Sequence, residues 1–413
     1  MRRSITRAVA AIVATAAITS VGIEAGASAP PDPAAVAAAD WLATQQNGAG
    51  LVSTGFDPAI DTVAAVSSWT LTGTHPASVA AAMSALSADV NGVVQKAGVD
   101  QAGRLAQLVV AVVATGGDPR SFGGTDLLAR LTATRTTGGN DDGLYGGPNV
   151  YGSAFTDGLV LVALRAAGTS DPGAVAWLTR QQCANGAWTG YRPDPTVPCG
   201  TNPTEVPVDT NGTAVALRGL AASGLSPAHD TLGWFASVQF PEGGWGYDVS
   251  ATASDPDSTG LVMAAIVAAG ASPLDAAFTS GQKQPATALR SFQFGPGATP
   301  PGQPGALFYP PYVPGDAPTP SVLATNDAIG ALLLGAPTVA PAAVVAAPVV
   351  LTDQQRFAFF VFLLRLDQAK RFEAFIAAVK AAHPMTTVRR TVCTRTRHGH
   401  RVCRVVLRRV ARR

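Results

Sequence analysis

The sequence has few charged residues and few aromatic ones. Charged residues make up 14% of the 413 residues and aromatic residues 7%, whereas hydrophobic residues make up 47%. An average soluble domain is roughly a quarter charged. The large apolar fraction excludes an intrinsically disordered chain, because it supplies ample surface to bury. The shortage of charge also argues against a nucleic-acid-binding surface across the main body.

The charge that is present is unevenly distributed along the chain. The net charge is +2, yet the segment from Pro384 to Arg413 contains ten Arg and no Asp or Glu. The body is therefore acidic and the tail strongly basic. Such a tail predicts an anion-binding surface for a cell-envelope polymer or an acidic lipid, with no specific nucleic acid as partner. A solubilising tail is the alternative.

The N-terminus has the pattern of an export signal. A basic start, Met1–Arg7, precedes an apolar stretch from Ala8 to Ile23 and a small-x-small sequence ending at Ala27. We expect residues 1–27 to be a cleaved signal peptide and the mature protein to be secreted, extracellular or associated with the cell envelope. An uncleaved anchor is the alternative. A later uncharged stretch, 328–351, is long enough to span a membrane, but its three prolines favour a helix end followed by a linker.

Export to an oxidising compartment predicts disulfides. The four Cys form two local pairs, for which three connectivities exist. The economical expectation is Cys183 with Cys199 and Cys393 with Cys403. A zinc site that uses the second pair with His398 and His400 is the competing interpretation; we predict no metal and no cofactor.

Two stretches of the chain repeat with identical spacing. The pattern Trp-x4-Gln-x3-Gly-x-Trp occupies 177–188 and 234–245, its front half recurs at Trp41–Gln46, and a degenerate copy begins at Phe292. An apolar helical pattern rich in small residues follows each copy, starting near positions 61, 100, 156, 209, 257 and 325. A period near fifty residues with two helices per unit indicates a helical repeat array. The polar Trp-bearing helix belongs outside and the apolar helix inside.

This repeat resembles the QW-type repeat of the terpenoid cyclase and protein prenyltransferase superfamily. The resemblance covers about residues 35–337 and implies an all-α fold, an α/α toroid of about six helix pairs. In that family the Gln caps a neighbouring helix and the Trp packs over it, so the motif implies fold rather than chemistry. A linker over 338–351, a helix over 352–382 and an Arg-rich β-hairpin tail over 385–413 complete the predicted organisation.

The family's activities each require residues that can be sought in this sequence. The cyclase resemblance implies an Asp-x-Asp-Asp acid; its nearest match is Asp255-Pro-Asp257-Ser258, which lacks the third carboxylate. A carboxyl pair at this spacing can raise one pKa, as a general acid requires. The competing interpretation makes Asp257 one more helix cap, because Asp occupies similar openings at positions 61, 157, 209 and 327. The expected Cys and His of a prenyltransferase zinc site are missing from the inner helices, and Cys199-Gly-Thr-Asn does not match a thioester motif.

The expected function is therefore the binding of a small apolar or flat ligand, or of a cell-envelope partner, without catalysis. The alternative is a terpenoid cyclase-like isomerase or lyase that protonates an isoprenoid with Asp257, assisted by Asp255. Aromatic loop residues predict a ligand-binding rim above the ring, although they could equally plug its end. The candidate rim residues are Tyr145, Tyr151, Trp188, Tyr191, Asp209, Trp245, Tyr247, Phe308 and Tyr309.

Overall fold

The computed structural model describes residues 31–52, 57–147, 153–202, 204–281, 283–299, 302–310 and 317–334, and the backbone of 385–395 and 401–411. The chain divides into two compact units, Met1–Phe359 and Phe360–Arg413. The described residues of the first unit form the following α-helices: α1 Pro33–Thr44, α2 Pro58–Thr72, α3 Pro76–Ala88, α4 Val90–Val94, α5 Ala102–Ala114, α6 Leu127–Ala133, α7 Ser153–Ala166, α8 Pro172–Arg180, α9 Thr210–Ala222, α10 Thr231–Ser237, α11 Pro256–Ala268, α12 Ala276–Thr279, α13 Pro285–Ser291 and α14 Val322–Leu332.

Six of these helices form a closed inner ring. In turn α2 packs on α5, α5 on α7, α7 on α9, α9 on α11 and α11 on α14, and α14 packs back on α2. The closure confirms the predicted α/α toroid. Two glycines allow neighbouring helices to approach closely: a Cβ on Gly158 would lie 2.4 Å from the carbonyl oxygen of Val215, and one on Gly260 would lie 2.6 Å from that of Asp327.

The outer layer consists of α1, α3, α6, α8, α10 and α13, one before each inner helix. Several of them begin at an aspartate whose side chain accepts backbone N–H groups of the first turn, as Asp32, Asp126, Asp171 and Asp230 do. Such N-caps satisfy donors that a helix end leaves without partners.

The repeated Gln residues join each outer unit to the next. Gln46 donates to the carbonyl oxygens of Gly50 and Ser78, Gln182 to those of Gly186 and His229, and Gln239 to those of Gly243 and Phe278. Gln293 donates to Gly305 at 2.9 Å and to Ala34 at 2.8 Å. The last tie connects the final repeat to the first and closes the outer layer.

In the third repeat other side chains take these positions. Arg135 takes the position of the Gln and donates its Nε to the Asp171 carboxylate at 2.6 Å, while Tyr145 takes the position of the second Trp, in an isolated bridge with Arg135, and donates its hydroxyl to Asp171. Because both the side chains and their hydrogen-bond partners differ, the sequence pattern was weak here.

Short β-hairpins lie in two of the loops between helices of the first unit. Strand β1 Gln95–Lys96 pairs with β2 Val99–Asp100, and β3 Thr189–Tyr191 pairs with β4 Val206–Val208, both antiparallel. Neither was predicted. The disulfide between Cys183 and Cys199 fixes the loop beside β3, which confirms the expected pairing.

The described part of the second unit is an antiparallel hairpin of β5 Met385–Arg395 and β6 Arg401–Ala411. Its register places Cys393 opposite Cys403. Residues 396–400, with His398 and His400, lie outside the described residues. So do the predicted signal peptide, the 338–351 linker and the 352–382 helix. Within the described ranges, no helix combines the length and hydropathy needed to cross a bilayer.

Candidate functional site

A hydrogen bond near the start of most inner helices fixes which face points outward. Four threonines accept a backbone N–H from the outer layer; on α7 the carboxylate of Asp157 accepts that of Tyr145 at 2.9 Å instead. The threonine ties are Thr62 with Val52 at 2.8 Å, Thr213 with Trp188 at 3.0 Å, Thr259 with Trp245 at 3.0 Å and Thr325 with Leu307 at 2.9 Å. The opposite face of each helix therefore points toward the centre of the ring.

That opposite face is partly exposed on helices that are otherwise buried. Positions two before, two after and five after each tie lie about 140–200° around the helix from it. The position nine after the tie lies about 180° from it as well. We call the partly exposed residues at these positions of the helices the lumen face: Ala64, Ser67 and Leu71 on α2, Phe155, Leu159, Val162 and Ala166 on α7, Arg218 and Ala222 on α9, Leu261 and Ala264 on α11, and Asp327 and Gly330 on α14. A side chain at the centre of a ring reaches solvent only through that centre, so the ring encloses a lumen lined mainly by aliphatic side chains.

A cavity of about 540 Å³ lies between α7, α8, α9 and the end of α11. Val162, Arg218 and Ala222 of the lumen face line it, together with Thr169 and Ser170 of the loop between α7 and α8. Thr169 and Ser170 are exposed, so the cavity reaches the surface at the C-terminal ends of α7, α9 and α11. A cavity of this size suits a small organic ligand.

The N-terminus of α11 carries the acidic pair singled out in the sequence. Asp255 is the N-cap, and its carboxylate accepts the N–H of Ser258 at 2.8 Å and its hydroxyl at 2.7 Å. The interpretation of Asp257 as the cap is therefore wrong. Asp257 lies inside the first turn, is 2% exposed and accepts a hydrogen bond from Asn211 Nδ2 at 2.9 Å. It lies two residues before Thr259, and so on the side that faces the lumen.

Other aspartates expected to cap inner helices behave differently. Asp209 does cap α9, accepting the N–H of Gly212 at 2.6 Å. Asp57 caps α2 in place of Asp61, and Ser321 caps α14 in place of Asp327. Asp157 ties α7 to the outer layer. Because Ser321 caps α14, the carboxyl group of Asp327 does not serve as a helix cap.

Asp327 forms a side-chain hydrogen bond with Asp257. It lies two residues after Thr325 on the lumen face and is partly exposed, whereas Asp257 lies buried behind it. We call these two residues the acid pair. The sequence indicated Asp327 only as a possible helix cap. Its position two residues after Thr325 was the signal for a lumen-facing role.

The acid pair holds a proton because two touching carboxyl groups resist joint ionisation. Burial, the charge of Asp327 and the hydrogen bond to it raise the pKa of Asp257 well above its usual range. Burial also raises the pKa of Asp327, but the hydrogen bond from Asp257 and the charge of Arg218 act against that rise. Both shifts favour one proton shared within the acid pair, with the stronger rise at Asp257. Burial raises the pKa of the capping Asp255 to about 6.

Most of the predicted rim residues belong to the packing of the outer layer. Trp188 and Trp245 are fully buried and donate Nε1 to the carbonyl oxygens of Leu178 and Phe235, both at 2.8 Å. Because they present no surface to a ligand, their assignment as ligand-binding residues is wrong. Asp209 is likewise a helix cap.

The tyrosines and Phe308 show the same pattern. Tyr145 is buried and donates its hydroxyl to Asp171 at 3.0 Å; this bond and its burial raise its pKa. Tyr191 donates to Asp141 at 3.1 Å, and Phe308 packs edge-on against Phe292. Tyr247 and Tyr309 are partly buried, and Tyr151 lies outside the described residues.

A metal has little to bind among the described residues. There the one group with suitable ligand spacing is Cys183, Cys199 and Glu205. Both sulfurs are committed to the disulfide, so no thiolate is available to a metal ion.

Comparison with known proteins found similarity to solved structures. No family model matches the sequence, and no curated protein matches it at a significant level. The type II terpene cyclase MstE from Scytonema, in its apo form, is 15% identical with a TM-score of 0.48, and the match covers 73% of this chain and 96% of that one.

Two further MstE structures match over 73% of this chain and 95% of theirs. An Asp-to-Ala variant in complex with merosterolic acid A, its product, is 14% identical with a TM-score of 0.44. An Asp-to-Asn variant in complex with geranylgeranyl dihydroxybenzoate, its substrate, is 14% identical with a TM-score of 0.45.

Proposed function

We propose that the protein is an enzyme that protonates an unsaturated apolar molecule in the lumen of the ring, with a linear isoprenoid as the substrate class. One observation carries the proposal. The acid pair holds a proton in a buried setting, and its Asp327 member contacts an otherwise mostly aliphatic lumen. Buried carboxyl groups with raised pKa values in a cavity are candidates for general acids.

The proposed step transfers one proton. The shared proton moves along the hydrogen bond from Asp257 to an oxygen of Asp327, which delivers it to one carbon of a double bond and leaves both carboxyl groups ionised. The π electrons form the new C–H bond, and the neighbouring carbon becomes cationic. A second double bond of the same molecule closes a ring on that carbon. Loss of a proton from carbon to the acid pair then restores the acid, so the reaction consumes no oxidant and no cofactor.

The lining of the lumen supports this chemistry. Leu159, Val162, Leu261 and Ala264 offer no nucleophile that would trap a cation. Their aliphatic surface excludes water, which strengthens electrostatic interactions with the acid pair. The resemblance of the repeat to that of terpenoid cyclases agrees with the assignment of Asp257.

The test uses squalene and geranylgeraniol as probes in deuterated buffer, with products analysed by mass spectrometry. We expect a cyclic product with one deuterium per initiating protonation. Asp327→Asn and Asp257→Asn should each lower turnover by about 10²- to 10⁴-fold, the range for losing a general acid. Asp157→Asn is the matched control: it also changes a buried carboxyl group of an inner helix, but one that faces the outer layer, and turnover should be retained. Full activity of Asp327→Asn would contradict the proposal.

The same lumen supports a second candidate function, the binding of a small apolar or flat ligand without chemistry. The observation in its favour is the cavity of about 540 Å³, a size that suits a small organic ligand. Native mass spectrometry of the protein from its source distinguishes the two. A bound molecule released unchanged on denaturation, together with inert probes, would favour the binder.

We further propose that the protein acts outside the cytoplasm. The Cys183–Cys199 disulfide supports an oxidising compartment, and the N-terminal sequence supports export. N-terminal sequencing of the mature protein should begin at Ser28. A mature chain that still starts at Met1 would contradict cleavage.

A further inference from the structure

Arg218 is one of two charged residues in the lumen face as defined above, and the other is Asp327. It lies on α9, five residues after Thr213, and lines the cavity between α7, α8, α9 and the end of α11. Its guanidinium forms no direct ion pair with a carboxylate of the described residues, in contrast to Arg104, Arg130, Arg135 and Arg290. Burying such a cation without compensation is costly.

The compensation comes from across the lumen side of α11. Helices α9 and α14 flank α11 in the ring, and Arg218 and Asp327 both lie on the lumen face of their helices. The two charges attract. Asp257 meanwhile lies between Asn211 of α9 and Asp327 of α14.

The other charged groups near the acid pair have partners of their own. On α11 itself, Asp255 is bound to Ser258. On the neighbouring elements, Asp209 caps α9, the carboxylate of Asp61 on α2 accepts the N–H of Asp57, and Arg290 of α13 is paired with Asp32. Arg218 is thus the cation that faces the acid pair among these elements.

We propose that Arg218 is a positioning residue that makes the acid pair a stronger acid, by balancing the second negative charge that appears when the pair gives up its shared proton. This inference rests on the proposed function, and it concerns the same site. Before transfer the pair carries one negative charge, and after transfer it carries two in direct contact. Without a nearby cation the second charge is strongly unfavourable in a buried site. Arg218 opposes that cost without touching the substrate.

Removing the charge of Arg218 should raise the pKa at which the acid pair loses its last proton. Removing the cation destabilises the doubly ionised pair more than the singly ionised one, so the last proton binds more tightly. The pair then becomes a weaker acid and protonates an alkene more slowly. A shift of one pKa unit corresponds to a tenfold change in the proton-binding constant.

The experiment compares Arg218→Gln, Arg218→Lys and Arg165→Gln in the full mature chain. Arg165→Gln is the matched control, because Arg165 also lines the cavity but is exposed and absent from the charges that act on the acid pair. The readout is the carbon-13 NMR titration of labelled Asp carboxyl groups, with the Asp257 signal assigned by its loss in Asp257→Asn. We expect loss of the last proton to move upward by about one pH unit or more in Arg218→Gln. Arg218→Lys should restore most of the original value, and Arg165→Gln should not change it.

The titration tests the role of Arg218, and the turnover measurement tests the proposed function. An unchanged Asp257 titration in folded Arg218→Gln overturns the role of Arg218, whether or not the protein turns over a probe. A shifted titration with no turnover of any polyprenyl overturns the proposed function and leaves the electrostatic role standing. If both hold, turnover in Arg218→Gln should fall about tenfold or more with an unchanged KM. Should Arg218→Gln not fold, Arg218→Met, which keeps the apolar stem, takes its place.

Discussion

Asp157 and Asp257 are both buried carboxyl groups, yet one is a structural tie and the other faces a lumen. Burial raises the pKa of each well above its usual range. The position of the Thr tie separates them: Asp157 replaces the Thr, whereas Asp257 lies on the opposite side of its helix. Burial and a raised pKa alone would not have distinguished a functional acid from a substitute for threonine.

Replacing Asp157 with Thr should therefore stabilise the protein. The hydroxyl of Asp157→Thr can accept the N–H of Tyr145, as Thr213 accepts that of Trp188. The variant loses a carboxyl group that must stay protonated in the fold although it ionises in the unfolded chain. We expect a gain of about 1 kcal/mol or more in the free energy of unfolding at pH 7 and almost none at pH 4, measured with urea. Thr213→Val, which removes the tie, should lower stability by about 1–3 kcal/mol; a stabilised Thr213→Val would contradict this account.

The raised pKa values also predict how stability depends on pH. A carboxyl group whose pKa is higher in the folded state binds more protons there, so stability falls as pH rises from the unfolded to the folded pKa. For Asp255 this window runs from 3.8 to about 6. Asp255→Asn should keep the cap, because Asn caps as well as Asp, and should flatten the fall in unfolding free energy across that window. An identical slope in urea unfolding measured at several pH values would show that Asp255 is not the group involved.

At the scale of the helices, the sequence predicted most of what the structure shows. Intact copies of the Trp and Gln pattern located α8 and α10, and the expected cap Asp209 located the start of α9. The copies before Ala154 were harder, because Arg135 and Tyr145 take the positions of Gln and Trp and bind a carboxylate, Asp171, instead of backbone carbonyl oxygens. The faces of the helices could not be assigned either. An inner helix that is apolar all round gives no hydrophobic periodicity, and only the contacts of its Thr identify the lumen side.

The Gln ties should contribute unequally according to what they join. Gln182 links neighbouring units in the middle of the chain, whereas Gln293 links the last unit to α1. In Gln293→Ala two carbonyl oxygens lose their donor, and we expect a loss of about 1–3 kcal/mol, with faster hydrogen exchange confined to α1 and α13. Gln182→Ala is the matched control and should leave exchange in α1 unchanged. Equal exchange in α1 for both variants would contradict a closing role for Gln293.

At the scale of the whole molecule, a closed ring was predictable from six helix pairs, but its hollow centre was not. The lumen can be tested by filling it at one of two adjacent alanines. Ala264 is partly exposed on the lumen face, and Ala265 is fully buried between helices. Ala264→Phe should block uptake of an apolar probe while changing stability little. Ala265→Phe should overpack the core at a cost of about 1–3 kcal/mol. Thermal melts and probe binding on both variants check this, and unimpaired binding by Ala264→Phe would rule out the lumen as the ligand site.

The Arg-rich tail allows a separate prediction. We propose that its ten Arg hold the protein on anionic envelope material. Deleting residues 385–413 should abolish retention on envelope fragments at low salt and leave probe turnover unchanged. If the truncated protein were retained equally well, the tail would have another role.

The tie between Gln293 and Ala34 also constrains the order in which this chain can fold. The two residues are 259 positions apart. Helix α1 can therefore complete its contacts only after nearly the entire repeat region has been synthesised. Until then the incomplete ring has two ends, and each end exposes the apolar helix surface that the next helix pair would cover. Contacts so distant in sequence slow folding, and an incomplete arc can accept a helix from another molecule in place of its own. Ring closure should thus be the late, concentration-sensitive step, and premature chain ends short of α14 should yield oligomers rather than smaller rings.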